Sequence, residues 1–313
     1  MQYTNLIWRD GQPFSEMFDD IYYSSNEGED ISGEREFNHV FFKNNGLPER
    51  WQTSNDFVIA ELGFGSGLNC LLTIRAWLQH LAETQQTSCL HYIAIEKYPL
   101  SPETIVTLIS RYPELKPLCD ELVENYPPAV ETSHSRHLFD GKVVIHYKCM
   151  DVFTALRDEQ LKVDAWYLDG FTPARNADMW SQALFLKLAQ NSNQGARCST
   201  YTAAGFVRRN LMAAGFDVTK VTGYGKKREM LVAEYKGAEQ KTFNYKDKPW
   251  FSLSEVSAAK RKHATVIGAG IAGLCVAYAL IRRGWHVTII DRHDEVAKEA
   301  SSNPVADYPL SSI

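Results

Sequence analysis

Two glycine-rich turns constrain the fold of this chain more than any other feature. The first is Glu61-Leu-Gly-Phe-Gly-Ser-Gly-Leu-Asn69, and the second lies within Ala264-Thr-Val-Ile-Gly-Ala-Gly-Ile-Ala-Gly273. Each turn follows an apolar run of strand length and precedes a segment with the apolar spacing of a helix. The order strand, glycine turn, helix predicts an α/β fold in which ligands bind at the carboxyl ends of parallel strands.

Strands and helices alternate after the first turn. Apolar runs predict strands at 57–60, 91–95, 143–147 and 165–168, and a helix at 68–81. Later segments predict a helix at 205–214 and strands at 216–220 and 230–234. Such alternation predicts a doubly wound, Rossmann-like sheet with helices on both faces. An acid stands at or shortly after the end of each early strand: Glu61, Glu96, Asp151 and Asp169.

The first turn has the spacing of a nucleoside-binding loop rather than a dinucleotide-binding loop. Gly63, Gly65 and Gly67 form the pattern GxGxG, and an acid precedes them. Glycines let backbone amides approach a ligand closely, and this spacing favours S-adenosylmethionine over a pyrophosphate. Glu96 is then placed to accept hydrogen bonds from both ribose hydroxyls.

Two interpretations of these acids stay open from the residues alone. In one, Asp151 reaches the adenine edge of the cofactor; in the other, it is a solvated strand end, and the glycines only turn the chain. The predicted cofactor-binding residues are Glu61, Gly63, Phe64, Gly65, Gly67, Asn69, Glu96, Lys97, Asp151 and Asp169.

A family resemblance adds a specific activity. Its motifs are the first glycine turn, Glu96-Lys-Tyr-Pro-Leu100, Asp169-Gly-Phe-Thr-Pro173, Tyr201-Thr-Ala-Ala-Gly-Phe-Val-Arg-Arg209 and Gly223-Tyr-Gly-Lys-Lys-Arg-Glu-Met-Leu231. Over residues 1–250 the chain resembles the methyltransferase domain of the bifunctional MnmC family. The resemblance implies a class I S-adenosylmethionine-dependent methyltransferase fold. It also implies methyl transfer to the amine of 5-aminomethyl-2-thiouridine at the tRNA wobble position, giving 5-methylaminomethyl-2-thiouridine.

Asp169 and Phe171 are the predicted catalytic residues. A primary amine attacks a methyl group only when it is neutral and aligned with the breaking bond. Asp169 would orient the amine and take its proton, and Phe171 would stack on the uracil ring. Taken alone, an Asp-Gly-Phe turn is more often a simple strand end; it is the resemblance that favours catalysis.

Basic residues supply a candidate RNA contact on a chain whose net charge is −5. If they converge near the cavity, they form a local site for phosphates. Solvated surface charges are the open alternative for each residue taken singly. The predicted RNA-binding residues are Arg175, Arg208, Arg209, Lys226, Lys227 and Arg228.

The second turn has the dinucleotide fingerprint GxGxxG in full context. Gly268, Gly270 and Gly273 stand between a strand at 264–267 and a helix at 274–283, and Asp291 ends the next strand at 287–290. This unit resembles the start of the FAD-dependent oxidase domain of bifunctional family members, which removes a carboxymethyl group from a related uridine.

We expect this second unit to be a truncated start of that domain. Only 22 residues follow Asp291, and Ser302 and Ala306 stand where the family has glycines. A unit of this size buries little apolar area, so negligible FAD affinity and no oxidase activity are predicted. The predicted division is a methyltransferase domain at 1–240, a linker at 241–262 and the partial oxidoreductase domain at 263–313.

The remaining features point to a cytoplasmic monomer without a metal. The six cysteines form no CxxC pair, which indicates reduced thiols that mostly pack in the core. Neither a signal peptide nor a membrane-spanning apolar run is present. Three other functions remain as alternatives: a small-molecule methyltransferase, a flavoprotein oxidoreductase and a non-catalytic RNA-binding protein.

Overall fold

A computed structural model describes residues 3–4, 6–9, 12–15, 19–21, 32–53, 56–157, 160–173, 176–237 and 262–302. The chain divides into two compact units. The first comprises residues 1–136 and 143–256, and the second comprises residues 137–142 and 257–313. The predicted linker at 241–262 lies almost entirely outside the described residues, so the division predicted from sequence remains a prediction.

The first unit is built on an eight-stranded sheet. Its strands are β4 (Asp56–Leu62), β5 (Cys89–Ile95), β6 (Ser133–Leu138), β7 (Val143–Lys148), β8 (Val163–Leu168), β9 (Ser192–Thr200), β10 (Phe216–Thr222) and β11 (Glu229–Tyr235). A separate antiparallel sheet near the amino terminus contains β1 (Ile7–Arg9), β2 (Gln12–Ser15) and β3 (Asp20–Ile21). The predicted strands of this unit are confirmed, each within two residues at either end.

The order of strands creates a crevice at β4. Across the sheet the strands run β10-β11-β9-β8-β4-β5-β7-β6. The chain therefore moves outward from β4 through β5 to β7, and then returns to β8 on the opposite side of β4. Strands β4, β5, β7, β8 and β9 are parallel to their neighbours in this run, whereas β11 is antiparallel to β9 and β10. In doubly wound sheets a ligand binds where the order reverses, here at the carboxyl ends of β4 and β8.

The helices of the first unit begin at recognisable local signals. They are α1 (Ser32–Phe37), α2 (Leu68–Thr84), α3 (Pro102–Ile109), α4 (Lys116–Glu124), α5 (Val152–Ala155), α6 (Gln182–Gln190) and α7 (Gly205–Ala213). Ser101 caps α3 by accepting from the Thr104 amide, with Pro102 in the first turn. Ser181 caps α6 in the same way through the Leu184 amide. The predicted helix at 68–81 is confirmed and continues for another three residues.

Large buried side chains fill the space between the sheet and its helices. Trp51, Trp77, Trp166 and Trp180 are each at most 1% exposed. Trp51 meets Trp77 edge to face, with ring centroids 5.1 Å apart. Five of the six cysteines are buried free thiols that pack in the core, and Cys275 is exposed. Among the described helices, none has the length and apolar character needed to cross a membrane.

The second unit contains two parallel strands and one helix: β12 (His263–Ile267), α8 (Ile271–Ile281) and β13 (His286–Ile290). The helix begins three residues earlier than predicted, so Gly273 lies inside its first turn. A Cβ atom at Gly273 would lie 1.9 Å from the Gly268 carbonyl oxygen, so only glycine allows this close packing. Apolar side chains on this unit remain exposed, including Ile267 at 86% and Ile271 at 69%.

Candidate active site

A cavity of about 690 Å³ opens at the carboxyl ends of β4, β5, β7 and β8. This volume is in the range of sites that enclose a cofactor-sized ligand. The cavity therefore lies where the strand order reverses. Predicted residues that line it are Gly63, Phe64, Gly65, Asn69, Glu96, Lys97, Asp151, Asp169, Phe171 and Lys227.

The first glycine turn holds its shape through positive φ angles and backbone hydrogen bonds. Gly63, Gly65 and Gly67 have φ angles of 89°, 52° and 74°, which side chains disfavour. A Cβ atom at Gly63 would lie 2.6 Å from the Asp169 carbonyl oxygen. The loops after β4 and β8 therefore meet main chain against main chain, and this contact requires glycine. Gly67 does not line the cavity; it precedes α2 and lies against the Phe64 ring.

Glu96 is held at the end of β5 by backbone amides. One carboxylate oxygen accepts from Gly65 at 3.2 Å, and the other accepts from Tyr98 at 2.8 Å. Burial raises the pKa of Glu96, while these backbone hydrogen bonds lower it. When it is ionised, this carboxylate is an acceptor only, which suits it to the hydroxyl groups of a ligand. The side chain is thus fixed in place on the wall of the cavity.

Asp151 has a structural role in addition to its place in the cavity. Its Oδ1 accepts from the Phe153 and Thr154 amides, so it caps α5, and Oδ2 accepts from the Thr154 hydroxyl. The pKa of Asp151 lies below its ordinary value because these hydrogen bonds and the charge of Lys97 together outweigh the effect of desolvation. Contact with adenine remains a prediction for this residue.

Glu61 and Asn69 form a buried pair beside the cavity. Glu61 is 1% exposed and does not line the cavity. It accepts from Tyr92 Oη at 2.7 Å and from Asn69 Nδ2 at 2.8 Å. Asn69 Nδ2 also donates to Asp169 Oδ2 at 2.7 Å. The structure thus brings Asn69 and Asp169 together at the cavity and places Glu61 behind them.

Asp169 lines the cavity and has a pKa well above that of an ordinary aspartate. Burial raises its pKa to about 7, and the negative charge of Glu36 acts in the same direction. The hydrogen bond from Asn69 and the positive charge of Lys227 oppose this rise. A carboxyl group with a pKa near 7 accepts a proton readily at neutral pH.

Two aromatic residues hold the loop that carries Asp169 and Phe171. Tyr201 Oη donates to the Gly170 carbonyl oxygen at 2.7 Å. Trp180 Nε1 donates to the Phe171 carbonyl oxygen at 3.0 Å. Because the backbone is held on both sides, the Phe171 ring is presented to the cavity from a fixed loop.

The predicted basic residues do not all occupy the same place. Lys227 lines the cavity, and its Nζ lies 3.7 Å from the centroid of the Tyr201 ring. Lys226 and Arg228 flank it and are exposed, as are Arg208 and Arg209 near the start of α7. Arg175 lies outside the described residues.

Several cavity residues were missed by the sequence prediction. Glu36 reaches the cavity from α1, which lies far from the motifs along the chain. No motif or spacing in the sequence marks this residue, so only the fold reveals it. The other missed residues that line the cavity include Tyr98, Asn176, Asp178, Met179 and Tyr201.

At the second glycine turn, two side chains from the same unit accept hydrogen bonds from backbone amides that would face a bound dinucleotide. Asp291 Oδ2 accepts from the Ala269 amide at 2.6 Å, and Ser301 Oγ accepts from the Ile271 amide at 2.9 Å. Ile271 is the first residue of α8, and the start of this helix is where a pyrophosphate is held in the dinucleotide fold. Gly268, Gly270, Gly273 and Asp291 are thus brought together as predicted, around a loop that satisfies its own amides.

The first cavity fits S-adenosylmethionine by its own geometry. Gly63 and Gly65 line the cavity, the Glu96 carboxylate is fixed on its wall, and aromatic and apolar side chains such as Phe64 and Met150 line the space. These are the elements needed for an amino acid portion, a diol and a nucleobase.

Comparison with known proteins identifies two family segments. Residues 113–236 match a family described as S-adenosyl-L-methionine-dependent methyltransferase. Residues 263–306 match the family of FAD dependent oxidoreductases. The first segment contains β6 to β11 and the loop with Asp169, and the second contains the turn at Gly268.

Similar proteins match nearly all of the chain. It is 41% identical over 306 residues to "tRNA 5-methylaminomethyl-2-thiouridine biosynthesis bifunctional protein MnmC" of Ectopseudomonas mendocina, covering 96% of this chain and 44% of that protein. The protein of the same name from Cupriavidus metallidurans is 41% identical over 303 residues, covering 96% and 43%. The chain thus spans less than half the length of these relatives.

A solved structure supports the fold. The crystal structure of MNMC2 from Aquifex aeolicus aligns with a TM-score of 0.56 and 20% sequence identity, covering 76% of this chain and 72% of that chain. At this level of identity the likeness concerns the arrangement of strands and helices alone.

Proposed function

The chain belongs to the MnmC family over the part of that protein which it spans, and we propose that its first unit methylates a tRNA. The methyl group would pass from S-adenosylmethionine to the amine of 5-aminomethyl-2-thiouridine at the wobble position. The observation that carries this proposal is Asp169, whose carboxyl group lies on the wall of the cavity beside the first glycine turn and has a pKa raised to about 7 by burial.

The residues of the first turn would hold the cofactor. S-adenosylmethionine supplies a methyl group on a positively charged sulfur. Glu96 accepts from the ribose hydroxyls, and the turn at Gly63 and Gly65 lies close to the amino acid portion. Phe64, Asn69, Lys97 and Asp151 complete the proposed wall of this site.

Asp169 would prepare the amine for attack. An alkylammonium ion has no lone pair, so the substrate must lose a proton before or during methyl transfer. In its ionised form, Asp169 accepts a hydrogen bond from the amine, orients it, and takes a proton. The positive charge of Lys227 favours the ionised carboxylate and disfavours a second cation nearby.

The uracil ring would stack against an aromatic side chain of the cavity. Phe171 lines the cavity on a loop held by Tyr201 and Trp180. A base drawn out of an RNA loop is commonly held on an aromatic face. Stacking on Phe171 would place the aminomethyl group of the uridine near Asp169, two residues away.

The exposed basic residues would contact the tRNA backbone. Lys226 and Arg228 flank the cavity residue Lys227, and Arg208 and Arg209 lie in the first two turns of α7. Arg175 belongs to the same proposed set. Charges next to the cavity favour a polyanionic substrate over a small molecule. Since tRNA is the substrate, the same proposal places the protein in the cytoplasm.

Incubation with labelled S-adenosylmethionine tests this proposal. One reaction contains tRNA from cells that lack the modification, and a second contains the free modified nucleoside. We expect label on the wobble uridine of the tRNA and little transfer to the nucleoside. Efficient methylation of the nucleoside alone would support the small-molecule alternative, and absence of label in both reactions would refute the proposal.

A further inference from the structure

A chain of four polar side chains connects the interior of the sheet to the cavity. The Tyr92 hydroxyl donates to Glu61 Oε2, and Asn69 Nδ2 donates both to Glu61 Oε1 and to Asp169 Oδ2. All three hydrogen bonds are between 2.7 and 2.8 Å long. Of these four residues, Asn69 and Asp169 line the cavity.

The two carboxyl groups determine the orientation of the Asn69 amide. An amide nitrogen carries two hydrogens, and here each hydrogen is directed at a different carboxyl group. If the amide were turned over, its carbonyl oxygen would face two acceptor oxygens, and the hydrogen bonds would be lost. Glu61 therefore stabilises the orientation in which Asn69 Nδ2 faces Asp169.

Glu61 holds Asn69 in either of its protonation states. Burial is the main reason why its pKa lies well above the ordinary value, and the charge of Asp169 adds to this effect. When Glu61 is ionised, both of its oxygens accept. When it is protonated on Oε2, that oxygen donates to the Tyr92 hydroxyl, and Oε1 still accepts from Asn69.

We infer that Glu61 is a positioning residue that acts through Asn69 to hold Asp169 Oδ2, leaving Oδ1 to face the substrate amine. This inference rests on the proposed methyl transfer for its catalytic meaning. It differs from the sequence prediction that Glu61 binds the cofactor, because Glu61 is buried behind the cavity wall. Tyr92, on the neighbouring strand β5, completes the support of Glu61.

The first test measures the titration of Asp169 in the protein without ligand. Carbon-13 NMR of labelled aspartate follows the carboxyl group, and Asp169→Asn assigns its resonance. In Asn69→Ala the carboxylate loses a charge-assisted hydrogen bond, so we expect the titration midpoint to rise by roughly one pH unit. An unchanged midpoint would show that Asn69 does not stabilise the carboxylate, and would overturn the inference.

The second test follows hydrogen exchange of the Asn69 side-chain amide. Glu61→Leu removes the acceptor, so we expect the exchange to become at least tenfold faster. Glu61→Gln keeps an acceptor oxygen at the same position, so exchange should stay within about threefold of the unmodified protein, in line with one retained hydrogen bond. Equal exchange rates in the Leu and Gln variants would contradict the inference.

A matched pair of tyrosine variants covers the case in which Glu61→Leu fails to fold. Tyr92→Phe removes the hydroxyl that donates to Glu61, whereas Tyr167→Phe removes an equally buried hydroxyl that lies 3.4 Å from Thr73 Oγ1. Only Tyr92→Phe should accelerate the exchange of the Asn69 amide. Equal effects of the two variants would show a general loss of packing and would overturn the inference.

Kinetics then separate positioning from cofactor binding. In Glu61→Leu we expect kcat to fall about tenfold to a hundredfold, while the affinity for S-adenosylmethionine, measured by calorimetry, changes less than threefold; Glu61→Gln should restore most of kcat. A parallel loss of cofactor affinity would show that Glu61 binds the cofactor. If the unmodified protein methylates no tRNA, the proposed function fails, yet the two NMR tests still decide how Asp169 is held.

Discussion

The two glycine turns of this chain share a local structure but differ in what surrounds them. The turn at Gly63 lies within an eight-stranded sheet, and its neighbouring loops enclose a cavity of about 690 Å³. The turn at Gly268 joins a two-stranded sheet to one helix. Between residues 262 and 302, the buried apolar side chains are those of Ala269 and Ala277, and those of Ile267, Ile271 and Tyr278 are exposed.

The difference shows that a binding motif needs partners from elsewhere in the fold. At the first turn, the opposite wall comes from β8 and from α1, which supply Asp169 and Glu36. At the second turn, the side chains of Asp291 and Ser301 accept hydrogen bonds from the amides of Ala269 and Ile271. A similar glycine-rich sequence thus lies beside a cavity in the first unit, whereas in the second unit its amides are bonded to side chains of the same unit.

Removing the Asp169 carboxyl group should cause the largest loss of methyl transfer. In Asp169→Ala we expect methyl transfer to fall about a thousandfold or more, because the group that we propose to orient and deprotonate the amine is lost. Cofactor affinity should change less than fivefold, as calorimetry would measure. The matched change in the second turn, Asp291→Ala, should leave methyl transfer unaltered. A similar loss of activity in both variants would remove the distinction between the turns.

Replacing one glycine by alanine in each turn should give the next largest difference between the turns, measured as the affinity for S-adenosylmethionine. In Gly63→Ala the new Cβ atom would lie 2.6 Å from the Asp169 carbonyl oxygen, at a φ angle of +89°. We expect the affinity for S-adenosylmethionine to fall at least thirtyfold, as the loops after β4 and β8 separate, with a loss of stability of about 2 kcal/mol.

Gly268→Ala is the control for this change. Its φ angle is also positive, at +101°, but a Cβ atom there would meet no heavy atom within 4 Å among the described residues. Cofactor affinity and methyl transfer should therefore stay unchanged. Weakened cofactor binding in both glycine variants would indicate that the second turn contributes to the first site.

The pH dependence of methyl transfer should follow the ionisation of Asp169. Burial raises its pKa to about 7, and in the proposed mechanism the ionised form accepts the proton of the amine. The value of kcat/KM, which reports ionisation in the free enzyme, should therefore rise about tenfold for each pH unit below 7 and level off above it. Rates measured from pH 5 to pH 9 would show this limb, and a flat profile would assign the proton transfer to another group.

The free energy of unfolding should also depend on the ionisation of Asp169, but this contribution should fall as the pH rises. Since burial raises its pKa above the unfolded value near 4, the folded protein binds a proton more tightly than the unfolded chain. The stability contribution of Asp169 is complete below pH 4 and is lost as the pH rises to about 7. Asp169→Asn should therefore raise the melting temperature more at pH 8 than at pH 5, and an equal change at both values would contradict this.

The smallest expected signal is the binding of FAD at the second turn, which we expect to be negligible. The side chains of Asp291 and Ser301 already accept from the amides of the second turn. The flavin absorbance of the purified protein, before and after incubation with FAD, provides the measurement. A stoichiometric flavin spectrum would show that this unit binds the cofactor and that the two turns are more alike than proposed.

Much of the fold could be predicted from the sequence because its signals are local. Apolar runs marked β4, β5, β7 and β8, and the glycine spacing separated a nucleoside-binding turn from a dinucleotide-binding turn. The acids that end these strands were found for the same reason, since the carboxyl ends of parallel strands share one edge of a sheet.

The rest depended on contacts between distant parts of the chain. Glu36 comes from α1 and Tyr201 from the loop after β9, and no spacing connects either with the glycine turn. Lys227 was predicted as an RNA contact from its neighbours in sequence, yet its side chain lines the cavity. Whether an acid such as Glu61 faces a cavity or lies behind its wall is decided by packing, which sequence patterns do not report.

The contact between Gly63 and the Asp169 carbonyl oxygen has a consequence for how such a site changes over time. Because main-chain atoms meet there, the closest approach of the cofactor loop to the Asp169 loop is set by backbone atoms, in addition to the side chains that hold each loop. Substitutions elsewhere on either loop can alter which nucleoside is accepted while the spacing of donor and acceptor is kept. The choice of nucleoside can therefore change during evolution while the geometry of methyl transfer is maintained.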